Sequence, residues 1–224
     1  MNNSPLERFP GVFGVGGLLI FLVALSVSLV LPLIAIFGDA EDTASVEDLA
    51  ANPKDSGFAD LAQLFPEMFS DIYPEGASPA NYATALERGR DLYIENACFQ
   101  CHTQNVRPFE TDYYGAAASP REQNNELMHP SLIGFRRVGP DLSRYGGTRE
   151  TRWLVNYLYD PTSLVSEAVA MPAYRWFYDK GCDLVEDPEA LCVPNEDGIA
   201  IITYLQWLGD YQPLAAVEED TQEE

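Results

Sequence analysis

From Gly11 to Phe37 no side chain carries a charge, and the run GVFGVGGLLIFLVALSVSLVLPLIAIF is 27 residues long. A helix of that length reaches roughly 40 Å, more than the ~30 Å hydrocarbon core of a bilayer. A secretory leader is the rival reading, with Gly38-Asp39-Ala40 as a weak cleavage site. The apolar core of a leader runs about 7–15 residues behind several positive charges. This run is longer, and Arg8 is the only basic side chain before it. The segment reads as a single membrane span over 11–37, with Pro32 near its end able to kink it. Arg8 on one side and Asp39, Glu41 and Asp42 on the other put residues 1–10 in the cytoplasm and the bulk of the chain outside.

Charge then divides the rest. The 224 residues carry 35 acids against 13 Lys and Arg, a net charge of −22. That balance excludes nucleic-acid binding through phosphate neutralisation. Residues 38–79 hold ten acids against Lys54, and residues 179–224 hold thirteen against Lys180. Residues 80–178 are nearly neutral, with eleven acids and ten arginines. The expected organisation is an acidic linker over 38–79, a folded domain over 80–212 and an acidic tail over 213–224. The acidic flanks read as a solvated surface, or as a field that attracts a basic partner.

The chemistry lies in Cys98-Phe99-Gln100-Cys101-His102. C-x-x-C-H is the attachment signature of c-type haem. Two thiols three positions apart reach the two vinyl-derived carbons of one porphyrin edge, and the adjoining histidine supplies the proximal iron ligand. A thioredoxin-like C-x-x-C would follow a strand in a βαβ unit, and none is visible. A zinc site needs a second close pair of ligands, which Cys182 and Cys192 do not supply.

The flanking chain is helical in pattern. Asn81 to Glu95 places Tyr82, Leu86, Gly89 and Tyr93 on one face, and Asp197 to Leu208 forms a second amphipathic helix that stops at Gly209. Gly89 permits a close crossing of the two, with Tyr204 and Trp207 against Tyr93. For the sixth iron ligand, Met171 in Met171-Pro172-Ala173-Tyr174 and His129 are the rivals, with Met68 and Met128 less well placed. Gly139-Pro140-Asp141-Leu142 precedes a helix expected near Thr148, and the Pro140 carbonyl is the candidate acceptor for the proximal histidine Nδ1–H. Arg136 and Arg137 are candidate partners of the haem propionates. Cys182 and Cys192, ten positions apart and outside the cytoplasm, suggest a disulfide-closed loop.

GRDLYIENACFQCHTQNVRPF, MHPSLIGFRRVGPDL, TRWLVNYLYDPTSLV and MPAYRW resemble the mono-haem, membrane-anchored cytochrome c subunit of cbb(3)-type cytochrome c oxidases. The similarity runs from about Gly89 to Trp176, with the span and the YLQWLG helix, and leaves out the segment Asp39 to Ser78 and the tail. It implies a mainly α fold: one N-terminal transmembrane helix, then a class I cytochrome c-like domain with long loops. It implies one covalent haem c ligated by His102 and Met171, and a calcium ion near Thr103 at a subunit boundary. The implied partners are a catalytic haem–copper membrane subunit and, as donor, a further haem c subunit or a soluble cytochrome c. The implied place is the bacterial cytoplasmic membrane, haem domain outward, with no catalysis by this chain alone. An anchored cytochrome subunit of a nitric oxide reductase and a free-standing anchored carrier are the competing functions, and a haem gas sensor a distant one.

Overall fold

A computed structural model describes residues 10–37, 44–51, 57–104, 125–130, 132–136, 138–143, 145–165, 170–187 and 190–208. Arg107-Pro108, Arg137, Gly209 and the tail 213–224 lie outside these, as do residues 1–9. The described chain is mainly helical and divides into two units, Met1–Thr43 and Ala44–Glu224.

The first unit is one apolar rod. Helix α1 (Pro10–Leu25) passes through a π turn (Ser26–Val30) into α2 (Leu31–Phe37). Its candidate membrane span is Phe13–Ile34, with a mean hydropathy of 2.7 and none of its window buried in protein. The π turn has a local cause. Pro32 lacks an N–H, and its ring crowds the carbonyl four residues back. The wider turn just before it, closed by Leu31 N–H donating to the Ser26 carbonyl, takes up that misfit.

The second unit is built on two crossed helices, α6 (Pro79–Glu95) and α10 (Glu196–Trp207). Ser78 caps α6 and Asn195 caps α10, each through its side chain. Gly89 lies at the crossing, where a Cβ would overlap the Ala200 carbonyl oxygen and the Tyr204 side chain. Tyr93 and Tyr204 meet with ring centroids 5.7 Å apart. Beside Gly89 the pair is also tied by charge, Arg88 donating twice to Asp197 at 2.9 and 3.1 Å. Helices α7 (Cys98–Cys101), α8 (Thr151–Tyr159) and α9 (Pro161–Leu164) complete this core. Helix α8 starts three residues later than the sequence suggests.

Residues 38–79 are not a bare linker. They contain α3 (Val46–Ala51), α4 (Gly57–Leu64) and α5 (Pro66–Ile72), and α3 packs on α6 while α4 packs on α10 and α8. Phe58, Leu61, Phe65, Phe69 and Tyr73 are buried in the same core. Phe58 meets Phe69 at 4.9 Å and Tyr73 at 5.1 Å between ring centroids. The acids hide an apolar stripe at helical spacing, and the described ones, Glu47, Asp48, Asp60, Glu67, Asp71 and Glu75, are exposed while the stripe is buried. Burial among these rings, with nearby Glu196 and Asp197, pushes the Tyr73 phenol up to about 12.

Strands β1 (Tyr178–Lys180) and β2 (Val193–Pro194) pair antiparallel. Between them a disulfide joins Cys182 to Cys192, with Cα atoms 4.9 Å apart. Asn156 of α8 fastens this loop, donating to the Ala190 carbonyl and accepting from the Cys192 N–H.

Candidate haem site

The end of α6 sets the site. Asn96 closes that helix and Ala97 turns the chain with φ = 56°, a left-handed conformation costly for a residue with a Cβ. That turn starts α7 at Cys98. One helical turn then carries both cysteines, and His102 leaves it in extended backbone. Cys98 is half-buried and Cys101 exposed, and neither is in a disulfide.

A second segment, 132–142, is laid along the first by four backbone hydrogen bonds. Gln104 N–H donates to Leu132 O, Arg136 N–H to Gln100 O, Gly139 N–H to Cys101 O and Leu142 N–H to Thr103 O, at 2.8–3.1 Å. The result brings Pro140 to the histidine, with His102 Nδ1 2.9 Å from the Pro140 carbonyl oxygen. Gly139 leaves room for the ring, since a Cβ there would overlap the imidazole. From the other side, the Tyr93 hydroxyl donates to the His102 carbonyl at 3.0 Å. Burial pushes the His102 pKa below its ordinary value, outweighing the Pro140 bond and nearby Asp141. The imidazole is therefore held neutral, the form a metal requires.

His102, Cys98 and Met171 line one cavity of about 390 Å³, within the range of cofactor pockets. Its walls are chiefly apolar, including Leu154, Leu158, Phe177, Ile201 and Leu205 from three elements. The Met171 loop is held at its far end by Tyr174 N–H donating to Leu158 O at 2.9 Å. Tyr174 also lines the cavity, its hydroxyl 4.0 Å from Cys98 Sγ. Burial raises the Tyr174 pKa, so that hydroxyl keeps its proton.

The other candidate ligands fall elsewhere. His129 is exposed and Met128 is buried in the core, and neither lines the cavity. Met68 packs on the core from outside it. Arg136 is exposed and does not reach the cavity wall, because its segment is held by the backbone with the side chain outward; Arg137 is not described. Among the described residues, the arginine that does line the cavity is Arg149, beside Thr148 and Tyr145. Its guanidinium lies 5.0 Å over the Trp153 ring, which stacks on Tyr157 at 4.4 Å. No local motif marks Arg149; only the fold brings it there. Thr103 is buried, and among the described residues no group of three or more His, Cys, Asp or Glu side chains gathers to hold a cation.

Haem fits these residues. The donors are an oriented neutral imidazole and a thioether, with two thiols one helical turn apart and a largely apolar wall.

The model of the family described as cytochrome c oxidase, mono-haem subunit/FixO, matches residues 57–199. No curated protein matches the chain. The match takes in α4 and α5, which the acidic composition had set apart, and the disulfide loop. It spans well over half of the chain and includes all the cavity-lining elements up to the first turn of α10. The chain belongs to the mono-haem FixO family of cytochrome c oxidase subunits.

Proposed function

We propose that this chain relays single electrons through one covalent haem c, from a donor outside the cytoplasmic membrane of a bacterium to the catalytic haem–copper subunit. The observation that carries the reading is the convergence of His102, Met171 and Cys98 on one cavity, with the histidine already oriented by Pro140. The haem supplies a one-electron iron couple when bound.

The residues of the chain do the rest. Cys98 and Cys101 would hold the haem by adding each S–H across one of its vinyl groups, sulfur to one carbon and hydrogen to the other. Nδ1–H of His102 donates to Pro140, which fixes the tautomer and leaves the Nε2 lone pair for iron. Met171, on the same cavity, would offer its thioether sulfur to the iron, a ligand set that favours the reduced state relative to two histidines. Arg149, held by Trp153, is the partner for the haem carboxylates in place of Arg136. The apolar wall excludes water, so little solvent reorganises when the charge changes.

The span Phe13–Ile34 anchors the chain in the membrane. The small residues Gly14, Gly16, Gly17, Ser26 and Ser28 allow close packing against helices of the catalytic subunit. Extraction with acidic acetone tests the cofactor. Colour that stays with the denatured polypeptide supports the reading, and colour that enters the solvent refutes it.

A further inference from the structure

The segment that follows Met171 is fastened on two sides. Toward α8, Tyr174 N–H donates to the Leu158 carbonyl at 2.9 Å, and Arg175 pairs with Asp160 at 3.4 Å. The Arg175 guanidinium also lies 5.4 Å from the centroid of the Tyr159 ring. Toward the cysteine helix, Trp176 Nε1–H donates to Asn96 Oδ1 at 3.2 Å, just before α7. The Tyr174 hydroxyl makes the second tie on that side, 4.0 Å from Cys98 Sγ. Tyr174 thus stands three positions from the candidate sixth ligand and touches the first attachment thiol.

The tyrosine ring is held without help from its hydroxyl. It is buried, stacks on Phe177 with centroids 5.8 Å apart and meets Trp176 edge-on at 5.3 Å. Packing and the backbone bond to Leu158 therefore aim the phenol oxygen at the cavity, whose wall is chiefly apolar. A buried hydroxyl in such a place needs a polar partner. Among the described residues the partner in reach is the Cys98 sulfur. In the free chain that thiol donates to the phenol oxygen. A thioether sulfur has no proton and can only accept, so attachment reverses the bond and makes the phenol the donor.

We infer that Tyr174 is a positioning residue whose hydroxyl donates to the Cys98 thioether sulfur and so ties the Met171 loop to the attached edge of the haem. The inference rests on the haem reading above. Two consequences follow from the bond. A donor on that sulfur draws electron density away from the macrocycle, which favours the reduced iron. The same bond adds to those that keep the Met171 loop in place, so an outside ligand must break it to displace Met171 from the iron.

The test uses the full, haem-loaded chain in detergent. Tyr174→Phe keeps the ring and its packing and removes only the oxygen. It should retain its covalent haem, show a lower midpoint potential than wild type, and bind imidazole at the oxidised iron about threefold more tightly, the factor expected for one weak hydrogen bond. A potential and an imidazole affinity both equal to wild type overturn the inference, even where the melting temperature changes. A second measurement needs no variant. In the reduced, diamagnetic wild-type protein the Tyr174 hydroxyl proton should give a nuclear Overhauser effect to the bridge protons of the Cys98 thioether. Absence of that effect overturns the inference whether or not Tyr174→Phe loads haem. A wild-type chain without covalent haem refutes the haem reading itself, and is told apart by its absent spectrum.

Discussion

His102 Nδ1 lies 2.9 Å from the carbonyl oxygen of Pro140, thirty-eight positions later in the chain. The contact exists because Gly139, next to Pro140, has no side chain to meet the imidazole. Gly139 has an ordinary backbone, so alanine there brings a steric effect alone. Gly139→Ala should push the ring off its carbonyl, lower the haem content of the purified chain and shift its reduced spectrum. Absorbance per polypeptide checks this, and a normal spectrum at full haem content would show that the ring has space to spare.

The α6–α10 crossing makes a second prediction. Alanine usually stabilises a helix over glycine by about 1 kcal/mol. At Gly89 the added Cβ meets the Ala200 backbone, which cannot swing aside. Gly89→Ala should therefore destabilise the domain by about 1–3 kcal/mol, as overpacking does. Denaturant unfolding followed by circular dichroism gives the value.

The Cys182–Cys192 bond closes a loop with a sequence separation of 10. The chain-entropy relation assigns such a closure about 2–3 kcal/mol. The double Cys→Ser variant should lose about that much stability while keeping its haem, since neither sulfur lines the cavity. Thiol labelling of the denatured, unreduced wild-type chain should find neither cysteine free.

Asp160 caps α9, accepting from the N–H and hydroxyl of Thr162 at 3.1 and 2.7 Å. Those bonds hold its carboxyl below the ordinary aspartate value, with the Thr162 side chain the leading cause. A depressed folded pKa means stability that is complete above the unfolded value, ~3.9, and lost as pH falls through the folded one. Asp160→Asn should lose that contribution at neutral pH and flatten that part of the acid limb, so that the two proteins converge as pH falls. Melting temperatures between pH 5 and pH 2 would show it; parallel curves for the two proteins would refute it.

How far these features can be read from sequence follows from their range. Cys98, Cys101 and His102 are legible because covalent attachment demands a fixed local spacing, and Gly89 because it interrupts an amphipathic face. Pro140 is legible by analogy of loop chemistry, though the hydrogen bonds that carry it to His102 run between distant segments. Arg149 is not legible, since nothing near it in the chain announces a cavity, whereas Arg136, one of a basic pair, looks the part and is exposed away from the cavity. The segment before α6 misleads for another reason. Its acids dominate composition, while Phe58, Leu61, Phe65, Phe69 and Tyr73 recur every three or four positions and carry the fold.

The central claim is that iron sits between His102 and Met171, and a single spectroscopic comparison tests it most directly. Oxidised wild-type protein should show the weak far-red charge-transfer band of methionine-ligated c-type haem, and Met171→Leu should lack it while keeping the covalent haem. A band that persists in Met171→Leu would contradict the account and return the sixth position to another residue.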